Sequence, residues 1–152
     1  MATSYEEISS GLSKLLDELV FSPKYPIRDL TEGKIKRVFG ENDVPIKGVF
    51  LISNHNENNK PLYVGRSKTL AQRIGVDLRA ITKEQATISY KLTTLKEKFP
   101  FLENIRDARQ YMYDNYSVQM LRIVDENERA IFQIYAAMEL KTINEFNSFI
   151  ER

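Results

Sequence analysis

The stretch that decides the fold spans residues 46–67 and reads IKGVFLISNHNENNKPLYVGRS. It contains two short runs rich in β-branched and aromatic residues, at 49–52 and 61–64, on either side of a polar segment at 53–60. Runs of this composition are typical of strands, and polar Asn-rich segments between them are typical of turns. We therefore predict a β-hairpin that ends at Gly65.

The residues after the hairpin predict several helices and one more strand. Ser67 is a suitable N-cap for a helix that begins near Lys68, and apolar residues then recur at the spacing of one helix face. Pro100 separates two further helical patterns. The predicted elements after the first of these helices are helices at about 83–98 and 101–115, a third strand at 117–124 and a final helix at 126–142.

A separate helix signal opens the chain. Ser4 and Glu7 have the spacing of a capping box, and apolar residues recur at helical spacing after them. Residues 21–46 contain turn signals and are predicted to be a connecting segment. The predicted fold is α/β of the α+β kind, with a small three-stranded, mixed or antiparallel sheet flanked by helices. We expect residues 1–45 to form an N-terminal helical extension of a domain at 46–152.

The composition of the chain excludes several kinds of site. The 152 residues include no cysteine and a single histidine, His55. This rules out disulfides and thiolate zinc sites, and it argues against a histidine metal centre or a Ser-His-Asp triad. No apolar run reaches the roughly 18 residues of a membrane span, and no signal peptide is evident. We therefore expect a cytoplasmic protein.

Positive charge is concentrated in one part of a nearly neutral chain. The whole sequence has a formal net charge of +1, whereas residues 60–100 carry nine bases and three acids, a net charge of +6. Clustered bases are typical of surfaces that bind nucleic-acid phosphates, and Arg66, Lys68 and Arg79 are the candidate contacts. The alternative, which charge alone leaves open, is a solvated basic helix face.

The hairpin and the helix after it resemble the signature of the GIY-YIG nucleases. Gly48-Val49-Phe50 and Tyr63-Val64-Gly65 resemble the two triplets of that family, which are paired strands. Arg73 lies where the family has an arginine on the following helix. The segment 131–137 resembles the late helix of the family, and Asn147 resembles its terminal asparagine.

This resemblance implies a metal-dependent DNA endonuclease that hydrolyses phosphodiester bonds. It implies that Tyr63 positions the attacking water, that Arg73 stabilises charge on the phosphate, and that Mg²⁺ or Mn²⁺ binds at the position of Gln133. Such chemistry needs a placed nucleophile, a cation near the phosphate and a Lewis acid. DNA is the implied partner, and a homodimer is expected if both strands are cut. The candidate catalytic positions are Tyr63, Arg73, Phe50, Gln133 and Asn147.

Two positions depart from the family pattern. Phe50 stands where the family has its first tyrosine, and Gln133 stands where it has the metal-binding glutamate. A neutral amide is a much poorer ligand for Mg²⁺ than a carboxylate. Three explanations of Gln133 are open: a natural domain that binds without cutting, an engineered Glu-to-Gln change, or a different register in the last helix. The alternative function is a non-catalytic nucleic-acid-binding or interaction module, in which Gln133 is a buried amide and Asn147 braces the chain end.

Overall fold

The computed structural model describes residues 4–40, 45–79 and 104–147 and has an α+β fold. One four-stranded antiparallel sheet carries helices on both faces. The strands are β1 (Tyr25–Pro26), β2 (Gly48–Asn54), β3 (Lys60–Ser67) and β4 (Tyr116–Arg122). The helices of the described residues are α1 (Tyr5–Phe21), α2 (Glu32–Phe39), α3 (Leu70–Gly75), α4 (Ile105–Asn115) and α5 (Glu126–Glu139). Short 3-10 turns cover Ile27–Asp29, Asp77–Arg79 and Thr142–Asn144.

The predicted hairpin is confirmed, and it forms one side of the sheet. β2 and β3 pair antiparallel, with Phe50 opposite Gly65. Both strands are longer than predicted, and the turn between them contains Asn58 and Asn59 with φ values of 56° and 57°. Asparagine tolerates this left-handed conformation better than most residues, which explains why the turn is rich in asparagine.

The sheet has the strand order β1-β4-β2-β3, and every pairing is antiparallel. The prediction of three strands is wrong because β1 adds a fourth, in which Tyr25 pairs with Val118 and Pro26 pairs with Ser117. Strand signals in a sequence depend on a longer alternating run, and proline weakens them further. A two-residue strand that contains a proline therefore has no recognisable pattern.

Two hydrophobic cores cover the two faces of the sheet. On one face, α2, α3 and α4 contribute residues to a core that includes Phe50 and Ile52. On the other face, α1 and α5 contribute to a core that includes Val49 and Leu51. Neighbouring residues of a strand point to opposite faces, so β2 supplies alternate residues to the two cores and is buried along its whole length.

Gly65 allows two aromatic rings of the hairpin to pack on the same face. The ring centroids of Phe50 and Tyr63 lie 5.9 Å apart. A Cβ atom on Gly65 would lie 2.6 Å from Cε1 of Phe50 and 2.8 Å from Cε2 of Tyr63. Any larger residue would displace a ring that belongs to the core, so the glycine of the second triplet has a packing role.

The first helix begins as predicted and joins the core of the sheet. Ser4 is the N-cap of α1, and its side chain accepts a hydrogen bond from the backbone amide of Glu7 at 3.3 Å. Ile8, Leu12 and Leu19 of this helix are buried in the core that α1 shares with α5. The segment predicted to be an N-terminal extension thus shares its packing with the rest of the described chain.

Helix α2 lies within residues 21–46, and the prediction of a connecting segment is wrong there. Thr31 is the N-cap, and its side chain accepts a hydrogen bond from the Lys34 amide at 3.2 Å. Gly40 follows the helix with a φ of 68°, a left-handed conformation that glycine adopts at low cost. The N-cap threonine and the glycine after the helix are both visible in the sequence. Gly33 in the first turn, however, is typical of a loop, which is why a connecting segment was predicted.

The other described elements have the predicted type and differ in their bounds. α3 starts at Leu70 and ends at Gly75, so it is shorter than the predicted helix that begins near Lys68. α4, β4 and α5 correspond to the helix, strand and helix predicted for the C-terminal third. The helix predicted at 83–98 lies outside the described residues. Among the helices of the described ranges, none is long and apolar enough to cross a membrane.

Candidate nucleic-acid interface

The outer edge of β3 is occupied at Val64 by the side chain of Asn147. β3 is an edge strand that pairs with β2. The Val64 amide donates a hydrogen bond to Oδ1 of Asn147 at 2.7 Å, and Nδ2 of Asn147 donates one to the Val64 carbonyl oxygen at 2.9 Å. The Thr142 hydroxyl donates to the same Oδ1 atom at 2.6 Å. Asn147 therefore braces the edge of the sheet.

Gln133 links α5 to the same backbone position. Its Nε2 atom donates to the Val64 carbonyl oxygen at 3.0 Å, and its Oε1 atom accepts a hydrogen bond from Nη1 of Arg66 at 3.0 Å. Gln133 is only 8% exposed, so this is a buried amide whose nitrogen and oxygen both have partners. The neutral amide holds the Arg66 guanidinium in place and does not cancel its charge.

A cleft opens between the end of β3 and the start of α5. It has a volume of about 400 Å³, and we name it the β3–α5 cleft. Two of the predicted phosphate contacts, Arg66 and Lys68, lie in this cleft, whereas the side chain of Arg79 lies outside the described part of the chain. The residues that line the cleft are Arg66, Ser67, Lys68, Glu126, Asn127, Arg129 and Ala130.

Arg129 is a buried cation in the lining of the cleft. It is 4% exposed, and its Nη1 atom donates to the carbonyl oxygens of Ile123 at 3.1 Å and Val124 at 2.7 Å. None of the ion pairs within the described residues involves Arg129. A buried charge is unfavourable unless it is compensated, and here neutral carbonyl groups supply the compensation. Arg129 could not be predicted as a site residue from the sequence, because an arginine one turn into a helix is most often exposed to solvent.

The cleft carries a net positive charge. Arg66, Lys68 and Arg129 contribute three positive charges and Glu126 contributes one negative charge, which leaves a net charge of +2. Lys68 and Glu126 lie 3.9 Å apart, but their side chains are 71% and 77% exposed, so this ion pair is weak. The first turn of α5 adds backbone N–H groups and the positive end of the helix dipole, but the Asp125 carboxylate already accepts a hydrogen bond from the Glu128 amide at 2.8 Å, so the side-chain cations supply most of the attraction for an anion. The arrangement favours an anion such as phosphate.

The other predicted site residues lie on the opposite face of the sheet. Tyr63 packs against the core that contains Phe50, whereas Val64 belongs to the core on the other face. Arg73 is on α3, whose buried residues belong to the core on the Tyr63 face. Phe50 is completely buried and has no polar atom to offer. The predicted site is thus divided into one group with Gln133, Asn147 and Arg66, and a second group with Tyr63, Phe50 and Arg73.

The contacts of Gln133 do not fit the Mg²⁺ or Mn²⁺ that the family resemblance implies. Mg²⁺ binds oxygen ligands and needs negative charge among them, whereas the Gln133 oxygen accepts a hydrogen bond from a cationic guanidinium 3.0 Å away. A divalent cation at this oxygen would be repelled by Arg66. No cluster of three or more His, Asp or Glu side chains suited to a metal occurs in ranges 4–40, 45–79 and 104–147. The geometry at Gln133 therefore supports an anion site and not a cation site.

The protein has an α+β fold, but this fold and the geometry of the cleft are not specific to one protein family. In comparisons with known proteins, no family model, no curated protein and no solved structure matches the chain. The GIY-YIG resemblance therefore stays a prediction from the sequence, and the function has to be inferred from the contacts of the cleft.

Proposed function

We propose that this protein binds nucleic acid through phosphate contacts in the β3–α5 cleft and that it does so without cutting the chain. The observation that carries this proposal is the hydrogen bond between Arg66 and the neutral amide of Gln133. A carboxylate at position 133 would form an ion pair with Arg66 and cancel its charge. The amide instead fixes the guanidinium and leaves its charge and its other donors for a ligand.

The surroundings of Arg66 support the same proposal. Lys68 and Arg129 line the cleft with Arg66, and their joint charge suits the phosphate groups of a nucleic acid. Such binding is expected to weaken as salt increases, because each phosphate contact releases counterions from the nucleic acid. Two or three contacts correspond to a slope of about −2 to −3 in a plot of log K against log salt for duplex DNA.

Binding of a labelled DNA duplex, followed by fluorescence anisotropy at a series of salt concentrations, tests this proposal. Arg66→Gln and Lys68→Gln should each weaken binding and make the salt slope shallower by about 1. Lys14→Gln is the matched control, since Lys14 is an exposed lysine of α1 outside the cleft, and it should change neither quantity by as much. An unchanged slope in both cleft variants would contradict the proposal.

A metal-dependent DNA endonuclease is the second candidate, and the arrangement around Tyr63 favours it. The ring centroids of Tyr63 and Phe50 lie 5.9 Å apart, and Tyr63 is partly exposed on the face that carries α3. Arg73 belongs to that helix. An active site on this face would need metal ligands other than residue 133, because Gln133 contacts Val64 and Arg66 on the opposite face.

A cleavage assay on supercoiled plasmid DNA with Mg²⁺ or Mn²⁺ separates the two candidates. It compares the unaltered chain, a Gln133→Glu variant, and a Gln133→Glu variant that also carries Arg73→Ala. Salt-sensitive binding without cleavage by any of the three supports the binding protein. Cleavage by Gln133→Glu that disappears in the double variant supports an endonuclease whose chemistry Gln133 silences.

Two expectations from the sequence stay predictions. One is a cytoplasmic location, and the other is a homodimer, which is expected if both strands of the DNA are cut. Light scattering coupled to size-exclusion chromatography, with and without DNA, would measure whether the chain is a dimer and whether DNA changes its state.

A further inference from the structure

The charge of the β3–α5 cleft exceeds the charge of one internal phosphate of a nucleic acid. The lining side chains leave a net charge of +2. An internal phosphodiester carries one negative charge, whereas a phosphate monoester carries about −1.5 to −2 at neutral pH. The monoester therefore matches the cleft more closely than the diester does.

Arg129 has two donor groups that no described residue uses. Both of its hydrogen bonds in the described structure use Nη1, which leaves Nε and Nη2 without a partner among the described residues. No fully buried side-chain nitrogen or oxygen of the described part lacks a partner, so these two nitrogens are in contact with solvent. Arg129 is one of the residues that line the cleft. Two N–H groups on one edge of a guanidinium match two oxygens of a phosphate group.

Two further cationic side chains, Arg66 and Lys68, line the same cleft as Arg129. Arg66 is held by Gln133, and the weak ion pair between Lys68 and Glu126 can open to release the lysine. A terminal phosphate has one ester bond and three other oxygens, so it can accept hydrogen bonds from several directions at once. An internal phosphate has two ester bonds, and its chain would have to enter and leave the cleft. A volume of about 400 Å³ lies within the range that holds small ligands.

We infer that the β3–α5 cleft binds the terminal phosphate monoester of a nucleic acid in preference to an internal phosphodiester. This inference rests on the proposed nucleic-acid binding and adds the chemical group that the cleft selects. The same chemistry occurs in free nucleoside monophosphates, so the experiment has to distinguish the two sources.

The test compares labelled oligonucleotides that are identical except for a phosphate or a hydroxyl group at one end. One pair differs at the 5′ end and a second pair differs at the 3′ end. We expect the phosphorylated member of at least one pair to bind about tenfold more tightly. Arg66→Gln and Lys68→Gln should each reduce this ratio towards one, and Lys14→Gln should preserve it. Because Arg66→Gln removes a partner of buried Gln133, Lys68→Gln provides the independent variant at an exposed position.

The possible outcomes separate this inference from the proposed function. Equal, salt-sensitive binding of phosphorylated and unphosphorylated ends would overturn the inference and leave the nucleic-acid binding intact. Absence of binding to all oligonucleotides would overturn both. A nucleoside monophosphate that competes as well as the phosphorylated oligonucleotide would overturn the nucleic-acid source and show that the cleft takes a free phosphate monoester.

Discussion

Replacement of Asn147 by alanine should destabilise the protein by about 3 kcal/mol, because two buried donors lose their acceptor. The Val64 amide and the Thr142 hydroxyl both donate to Oδ1 of Asn147, at 2.7 Å and 2.6 Å. Val64 and Thr142 are both completely buried, so water does not replace the lost acceptor. An unsatisfied buried donor costs about 1–3 kcal/mol, and two of them give the expected value. The Val64 carbonyl oxygen keeps its hydrogen bond from Gln133 in this variant, so the loss of the Asn147 donor adds little to the destabilisation.

The free energy of unfolding should be measured by urea denaturation with far-UV circular dichroism, because the chain contains no tryptophan. Asn127→Ala is the matched control, since Asn127 is an exposed asparagine, and it should change the stability by less than about 0.5 kcal/mol. A loss below about 1 kcal/mol in Asn147→Ala, with an unchanged m value, would refute the bracing role of this side chain.

The two amides that share the Val64 carbonyl oxygen should also be energetically coupled. Gln133→Ala alone leaves this oxygen its hydrogen bond from Asn147, and Asn147→Ala alone leaves it the bond from Gln133. Only the double variant removes both donors. The free energy of unfolding of the double variant should therefore fall by about 1 kcal/mol more than the sum of the losses in the single variants. Additive losses would show that the two amides are not coupled through the shared oxygen.

Three further predictions concern the cleft, the hairpin and a buried tyrosine. Gln133→Glu should weaken DNA binding about tenfold in the anisotropy assay, because a carboxylate would pair with the neighbouring guanidinium and repel phosphate; undiminished binding would contradict this. Gly65→Ala should lower the free energy of unfolding, measured by urea denaturation, by about 2 kcal/mol, because the added methyl group meets two aromatic rings. Gly11→Ala is the control: no atom lies within 4 Å of the added carbon, and the change should stabilise α1 by about 1 kcal/mol. Burial, and to a smaller extent nearby negative charges, raises the pKa of Tyr116 well above its usual value. The unfolded state therefore loses this proton first, and stability should fall above about pH 10 by up to about 1.4 kcal/mol per pH unit. Tyr116→Phe should make that fall shallower in urea denaturation at a series of alkaline pH values, and an identical slope would contradict the assignment.

Local signals in the sequence were sufficient for the hairpin and for the first helix. The Ser4 side chain caps the first helix at the Glu7 amide, and the two strands lie on either side of a turn in which two asparagines adopt the left-handed conformation. These features depend on residues that are close in the chain. β1 could not be predicted in the same way, because Tyr25 and Pro26 form a strand only through their pairing with distant residues of β4.

The candidate site was predicted only in part. The contacts that could not be predicted join residues that are distant in the sequence, as in the case of β1. The residues of the two triplets, with Gln133 and Asn147, were selected as important positions, and the structure brings Gln133, Asn147 and Arg66 together at Val64. The contact between Arg66 and Gln133 joins residues 67 positions apart, so no local pattern reveals it. Arg129 donates to carbonyl oxygens only five and six residues before it, but its place in the cleft beside Arg66 depends on the packing of α5 against β3, so its role as a cation there was not predicted.

The contacts at the two edges of the sheet have a consequence for how copies of this protein can associate. An exposed edge strand is a template on which another chain can add a strand, which leads to aggregation. Asn147 already occupies the backbone groups of Val64 on the β3 edge, and the opposite edge consists of a two-residue strand in which Pro26 has no N–H group to offer. Both edges are thus poor templates, and a dimer of this protein should form through its helices or loops and not by continuation of the sheet.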